Sequence, residues 1–323
     1  MKALVTGANG FTGSHLVQLL VAQGNDVVGL VRRTSDLSRL ADLDVQLVYG
    51  DITNADALNQ AMADVDVVFH IAACVDLGIV DAARMERVNV EGTRTVLTAI
   101  RAQPNPPKLV YCSTIGIYGD TAGKVIDETY QRTQEGFSSA YDETKFKAQQ
   151  LVNQHVADGF SAVSLMSGGI FGADDPHFGP VIKLFLQGRL PIWPGCDRIT
   201  GIVHVDDLVQ AMLLAAEKAP SGEHFIISAG ELSIGEMFNI LGDAAGVKAP
   251  VDAPKSLVRL IGGLLDPIGK AFSWNAPLNN ELVHYIYDRC VRISGEKARR
   301  DLGWQPRSIP EILTGIVKEL RVS

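Results

Sequence analysis

Short apolar runs with no polar face alternate with helix-period segments through the first half of this 323-residue chain. The runs at 2–6, 26–31, 45–49, 66–71, 108–113 and 161–165 read as strands. The segments 12–23, 55–63, 84–102 and 141–158 read as helices. A run such as VDVVFHIAA at 65–73 offers water nothing, as expected of a parallel strand covered on both faces. Strand–helix alternation at this spacing predicts an α/β fold with a Rossmann-type doubly wound parallel sheet. Past about residue 166 the alternation loosens, and helices are expected at 206–218, 233–245, 256–271 and 310–320. The reading is therefore a sheet domain over 1–165 and a smaller, mostly helical capping domain over 166–323. Segments around 201–230 can return to the sheet. The apolar stretch 254–272 is interrupted by Lys255, Arg259, Asp266 and Lys270. It is expected to be an amphipathic helix resting on a core rather than on a membrane surface.

Composition narrows the function. Acids outnumber bases 37 to 29, a net charge of −8 that argues against a nucleic-acid partner. No uncharged apolar run approaches the roughly 18 residues of an integral membrane segment. The N-terminus reads as a strand, not a signal peptide. Cys74, Cys112, Cys196 and Cys290 form neither a CxxC pair nor a zinc spacing, so no metal site or disulfide framework is expected. A cytoplasmic protein acting on a small molecule is the expectation.

Thr6-Gly7-Ala8-Asn9-Gly10-Phe11-Thr12-Gly13 follows the first strand and opens a helix. Glycines there allow a tight turn and close approach of a pyrophosphate, which the helix N-terminus then stabilises. With 31 glycines in the chain, GxxGxxG arises by chance about 0.3 times, so its place at the first βα turn carries the argument. The second strand ends in Val31-Arg32-Arg33, with no acid to hold a free ribose hydroxyl. Two arginines instead suit a 2′-phosphate, which points to NADP, with NAD as the alternative. Asp51 and Ile52 after the third strand, and Ala72 and Ala73 after the fourth, are placed to line the dinucleotide. His70 reads as a satisfied buried histidine.

Tyr141 and Lys145 form the one YxxxK of the chain. At i and i+4 they share a helix face. A phenol with a pKa of about 10 needs a neighbouring cation to serve as a base near neutrality. Thr114, at the end of the fifth strand, offers a hydroxyl for a carbonyl oxygen beside Tyr141.

Together these motifs resemble the extended short-chain dehydrogenase/reductases, the NAD-dependent epimerase/dehydratase family. The likeness runs through TGANGFTG, GDI at 50–52, HIAA at 70–73, VNVEGT at 88–93, CSTIGIYG at 112–119, YDETK at 141–145, GGIFG at 168–172 and VHVDD at 203–207. It implies a catalytic trio of Thr114, Tyr141 and Lys145, with hydride transfer at the nicotinamide. It also implies that Asn89, Ser113 and Gly168 line the cofactor, and that the protein is a homodimer through the helices 84–102 and 141–158. Family dehydratases carry Asp-Glu after the catalytic hydroxyl, where this chain has Ile115-Gly116. Nucleotide-sugar members carry an arginine where Thr200 stands. Both departures point to the branch of dihydroflavonol reductases and sterol dehydrogenases, and to interconversion of a ketone and a secondary alcohol on a small, largely apolar substrate. The competing readings are a nucleotide-sugar 4-epimerase and a non-enzymatic dinucleotide sensor. Against the sensor stands the Tyr141–Lys145 pair.

Overall fold

The computed structural model describes residues 1–75, 81–272, 276 and 278–322. Seven parallel strands form the central sheet: β1 (Lys2–Thr6), β2 (Asp26–Val31), β3 (Gln46–Tyr49), β4 (Val67–His70), β5 (Lys108–Thr114), β7 (Ala162–Ser167) and β11 (His224–Ile227). Their spatial order is β3-β2-β1-β4-β5-β7-β11, which reverses direction between β1 and β4. Open α/β sheets bind ligands at that switch point, outside the strands' carboxyl ends.

Both faces of the sheet are covered, which explains the missing polar face. On one side Leu16, Val17 and Leu20 of α1 (Phe11–Ala22) pack with Leu208 and Met212 of α7 (Val205–Lys218). Ala298 and Leu302 of α11 (Glu296–Leu302) and Trp304 complete that layer. On the other side lie Leu58 of α2 (Ala55–Ala61), Val96 and Ile100 of α4 (Gly92–Arg101) and Val152 of α5 (Ala140–Ala157). The apolar stripes of α4 and α5 are thus spent on the sheet. Their outer surface carries charge, with Lys147 bridging Glu86 and Glu143. A short helix, α3 (Ala82–Met85), leads into α4 through a π-helical turn at Glu86–Glu91.

Beyond β7 the chain builds smaller sheets. β8 (Gly169–Phe171) pairs in parallel with β10 (Ile199–His204), which pairs antiparallel with β12 (Gly230–Ser233). β9 (Ile192–Pro194) pairs with β13 (Val251–Ala253), and β6 (Val125–Ile126) with β14 (Arg292–Ile293). Phe185 of α6 (Gly179–Leu186), Phe238 of α8 (Ile234–Ala245) and Leu313 of α12 (Ile309–Val322) form a separate core with Phe171. The sheet does not stop at residue 165. β7 runs to Ser167, and within 201–230 the segment His224–Ile227 rejoins it as the seventh strand.

The apolar stretch behaves differently from the expectation. It is helical, as α9 (Lys255–Phe272), but Leu257, Leu260, Ile261, Leu264, Ile268 and Phe272 face solvent rather than a core. The face turned inward, towards α10 (Asn280–Tyr287), carries Val258 and Gly262 instead. A Cβ at Gly262 would stand 2.5 Å from Val283 Cγ2, so the close helix contact itself selects the small residue and turns the large ones out. Among the described residues no helix is long and apolar enough to cross a membrane.

Candidate active site

β1, β4 and β5 end side by side at the switch point, with Thr6 in register with His70 and His70 with Tyr111. The glycine loop leaves β1 there. Gly7 adopts φ +71, and a Cβ at Gly13 would lie 2.0 Å from the Gly7 carbonyl oxygen, so loop and helix meet backbone to backbone. α1 has Gly10 as its N-cap, with no side-chain cap bond and no acid in its first turn. Its first N–H groups are therefore left for an external anion, and the loop fits a dinucleotide pyrophosphate. Asn9 donates to the Asp36 carbonyl and ties this loop to the one after β2. Phe11 packs over Gly172, and Thr12 is buried.

α1 is also held electrostatically. His15 hydrogen-bonds Asp206 at 2.7 Å and Asp174 at 3.3 Å. Burial works against the imidazolium, but the bonds to Asp174 and Asp206 outweigh it and raise the His15 pKa to about 9. A raised folded-state pKa gives stability that is complete below about 6.5 and lost as pH rises through 9. His15→Gln should therefore cost about 1–2 kcal/mol at pH 6, since one pKa unit is worth about 1.4 kcal/mol and the site is partly wet. Urea denaturation at pH 6 and at pH 10 checks it: a deficit undiminished at pH 10 would rule the ion pairs out as its source.

After β2, Arg33 lies over the Tyr49 ring at 5.7 Å, while Arg32 stays exposed at the strand tip. Asp51 accepts bonds from the backbone and hydroxyl of Thr53, and Ile52 is buried under Gly92. Ala72 abuts Gly7, its Cα 3.0 Å from where a Gly7 Cβ would stand, and Ala73 follows it half-buried. Thr6 Oγ1 accepts from the Ile71 and Ala72 N–H groups, which leaves its proton for His70 Nδ1 at 2.8 Å. Thr93 donates its hydroxyl to the Asn89 carbonyl and so receives His70 Nε2–H at 3.0 Å. Both ring nitrogens are satisfied in the neutral Nε2–H form. Burial, helped by the Lys145 charge, lowers the His70 pKa to about 3.

Asn89 sits in the π-helical turn, a distortion frequent at functional sites. Its amide grips the Cys74 backbone at both N–H and carbonyl and donates to Thr144 of α5. It shapes the wall between β4 and α5 with its polar atoms already committed. Ser113 is buried, and Gly168 meets the Gly201 carbonyl so closely that a Cβ would lie 2.8 Å from its oxygen.

Ser139 caps α5 by accepting from the Asp142 N–H, which sets Tyr141 in the first turn. Lys145, 3% exposed, donates to the Cys112 carbonyl at 2.7 Å, and its ammonium lies 4.3 Å from the centroid of the Tyr111 ring. Thr114 ends β5 half-buried and accepts the Gly116 N–H. Burial pushes the Tyr141 phenol up to about 12, with the Lys145 charge pulling the other way. Tyr111 and Cys112, which hold the lysine, escaped the sequence reading. The acceptor is a backbone carbonyl, which every residue type carries, so no sequence signal marks it.

A model of the NAD dependent epimerase/dehydratase family matches residues 3–228. The chain is 32% identical over 313 residues to the 4-hydroxy-2-methyl-3-oxo-4-farnesyl-3,4-dihydroquinoline-1-oxide ketoreductase of Stigmatella aurantiaca, covering 95% of this chain and 92% of that one. The crystal structure of gox2253 superposes with a TM-score of 0.85 at 29% identity, over 99% of this chain and 98% of the other. Thermus thermophilus UDP-glucose 4-epimerase, solved in complex with NAD, superposes with a TM-score of 0.78 at 25% identity over 99% of both chains. With the family model spanning the glycine loop, the tyrosine–lysine helix and the seventh strand, the chain belongs to the NAD-dependent epimerase/dehydratase family, as an extended short-chain dehydrogenase/reductase.

Proposed function

We propose that this protein interconverts a ketone and a secondary alcohol on a small, largely apolar substrate, using NADP(H). The observation that carries the reading is the buried Lys145 ammonium, fixed by the Cys112 carbonyl one helical turn from Tyr141. When bound, the dinucleotide supplies or accepts hydride at nicotinamide C4, and its oxidised ring adds positive charge beside the phenol. Tyr141 passes the proton to or from the substrate oxygen, Thr114 orients that oxygen, and Lys145 favours the phenolate and holds the nicotinamide ribose. Gly7 to Gly13 carry the pyrophosphate. Asp51, Ile52, Ala72, Ala73, Ser113 and Gly168 line the cleft, with Asn89 holding its wall. The core around Phe171, Phe185 and Phe238 serves as the substrate-capping domain, and the apolar α9 stretch Leu257–Leu265 is available as its lid.

An apolar substrate is favoured over a sugar nucleotide because Thr200 of β10 stands where the diphosphate-binding arginine is expected, its hydroxyl donating to the Gly201 carbonyl. The Stigmatella relative's farnesylated substrate is in keeping with this. A carbonyl panel followed by nicotinamide absorbance tests the reading. Saturable micromolar binding of a UDP- or dTDP-sugar by calorimetry would instead favour a 4-epimerase. A homodimer through α4 and α5 rests on the family resemblance, because their apolar stripes are already buried. A monomeric mass by light scattering would remove it.

NADP(H) over NAD(H) rests on Arg32, exposed at the β2 tip, where Val31 stands in place of a carboxylate. A partly solvated charge-assisted contact to a 2′-phosphate is worth about 1.5–3 kcal/mol, or roughly ten- to a hundredfold in affinity. Arg32→Ala should weaken NADPH by that factor and leave NADH nearly unchanged in fluorescence titrations. Equal loss for both would mean that Arg32 only supports the turn.

A further inference from the structure

Asp142, next to Tyr141 in the chain, is 2% exposed and meets a cation from far along the sequence. Arg289, just past α10, donates from Nη2 to Asp142 Oδ1 at 3.1 Å, and its Nε stands 3.0 Å from Oδ2. Both side chains are buried, at 6% and 3% exposure. The pair lies against the exit of β5. A Cβ at Gly116 would stand 2.1 Å from Asp142 Oδ1 and 2.9 Å from Arg289 Nη2. The missing side chain at Gly116 is thus replaced by a carboxylate arriving from α5, and that carboxylate is already paired.

The charged and titratable groups around Tyr141 come from three elements, with burial keeping Tyr111 and Cys112 neutral. Lys145 and Asp142 belong to α5, Tyr111 and Cys112 to β5, and Arg289 to the segment after α10. Asp142 also feels Arg132 from the loop before α5. Arg289 is oriented in turn by the Tyr285 ring, 4.8 Å from its guanidinium, and Arg198 lies 4.2 Å over the same ring. A bare carboxylate beside Tyr141 would oppose formation of the phenolate, and Lys145 alone would have to offset both burial and that charge.

We propose that Arg289 is a positioning residue for proton transfer: by pairing with Asp142 it cancels the negative charge beside Tyr141 and pins the first turn of α5. Because Arg289 follows α10, the phenolate is favoured when that segment is docked on the catalytic helix. The inference rests on Tyr141 as the proton-transfer group. Its test does not need the substrate.

Tyrosine ionisation is followed at 295 nm against pH in the full-length protein saturated with NADP⁺ or NAD⁺, and for each variant the trace of the same variant carrying Tyr141→Phe is subtracted, which removes Tyr285, a phenol that Arg198 and Arg289 also hold down. The wild-type difference should show a titration below pH 10.5. Arg289→Gln should move it up by about one pH unit, leaving about a tenth of the phenolate at a given pH below the midpoint. Asp142→Asn with Arg289→Gln should bring it back to within a few tenths of a unit, and Arg289→Lys should leave it nearly in place. A purely structural pair would change the melting temperature in these variants without moving the titration, and that result would overturn the proposal. So would a double variant that stays shifted, or a wild-type complex with no Tyr141-dependent titration below pH 10.5. If Tyr141→Phe kept full activity in the carbonyl panel while the titration moved as described, the assignment of Tyr141 would fail and the charge pairing would stand.

Discussion

Tyr141→Phe is expected to lower turnover by roughly a hundred- to ten-thousandfold, the range typical of a lost general acid–base group. The phenyl ring stays, so the first turn of α5 and its Ser139 cap are undisturbed. Among the described residues none bonds the Tyr141 hydroxyl, so its removal strands no donor or acceptor of theirs. Dinucleotide affinity should therefore change by less than about threefold and melting temperature hardly at all. A fall in kcat with an unchanged dissociation constant is the signature of an interaction made in the transition state. Initial rates at saturating dinucleotide, paired with a fluorescence titration, measure both. Retention of more than a few per cent of activity on a true substrate would mean that another group moves the proton.

Lys145→Met should lower kcat/KM by a comparable factor but, unlike the tyrosine change, should also weaken the dinucleotide by roughly tenfold. The difference follows from what each side chain touches. Lys145 is held between the Cys112 carbonyl and the Tyr111 ring, and the proposed chemistry asks it to hold both phenolate and ribose. Burial already disfavours its charge. Met removes that cost of a buried charge and also the bond to the Cys112 carbonyl, two opposing effects, so the melting temperature should change little while activity is lost. His70 offers an independent readout, because the Lys145 charge helps depress its pKa. In the Met variant the His70 pKa should move upward, which NMR titration of the ring can follow. A variant that unfolds, or one that binds dinucleotide as tightly as the parent, would contradict this account.

The parts of this protein that could be read from sequence alone are those whose determinants lie within one turn or one strand of each other. Strands β1 and β2 begin and end where the apolar runs do, because burial of both faces leaves a continuous local signature. The glycine loop declares itself because the turn, the backbone approach at Gly13 and the start of α1 occupy eight consecutive residues. Tyr141 and Lys145 share a face through helix geometry alone.

Other features depend on groups that only the tertiary fold brings together. The acceptor for Lys145 lies 33 residues away on β5, and the neutral tautomer of His70 is decided by Thr6 and Thr93 on two other elements. Arg289 reaches Asp142 across 147 residues, a pairing with no periodicity to betray it. The orientation of α9 is the clearest case. Its amphipathic pattern was legible, but which face turns outward was decided by the fit of Gly262 against Val283, because a close helix–helix approach admits no side chain at that point. Local sequence specifies which elements form, because hydrogen bonding and burial within an element depend on near neighbours. Which polar groups meet, and which apolar faces are left to solvent, follows from packing between elements.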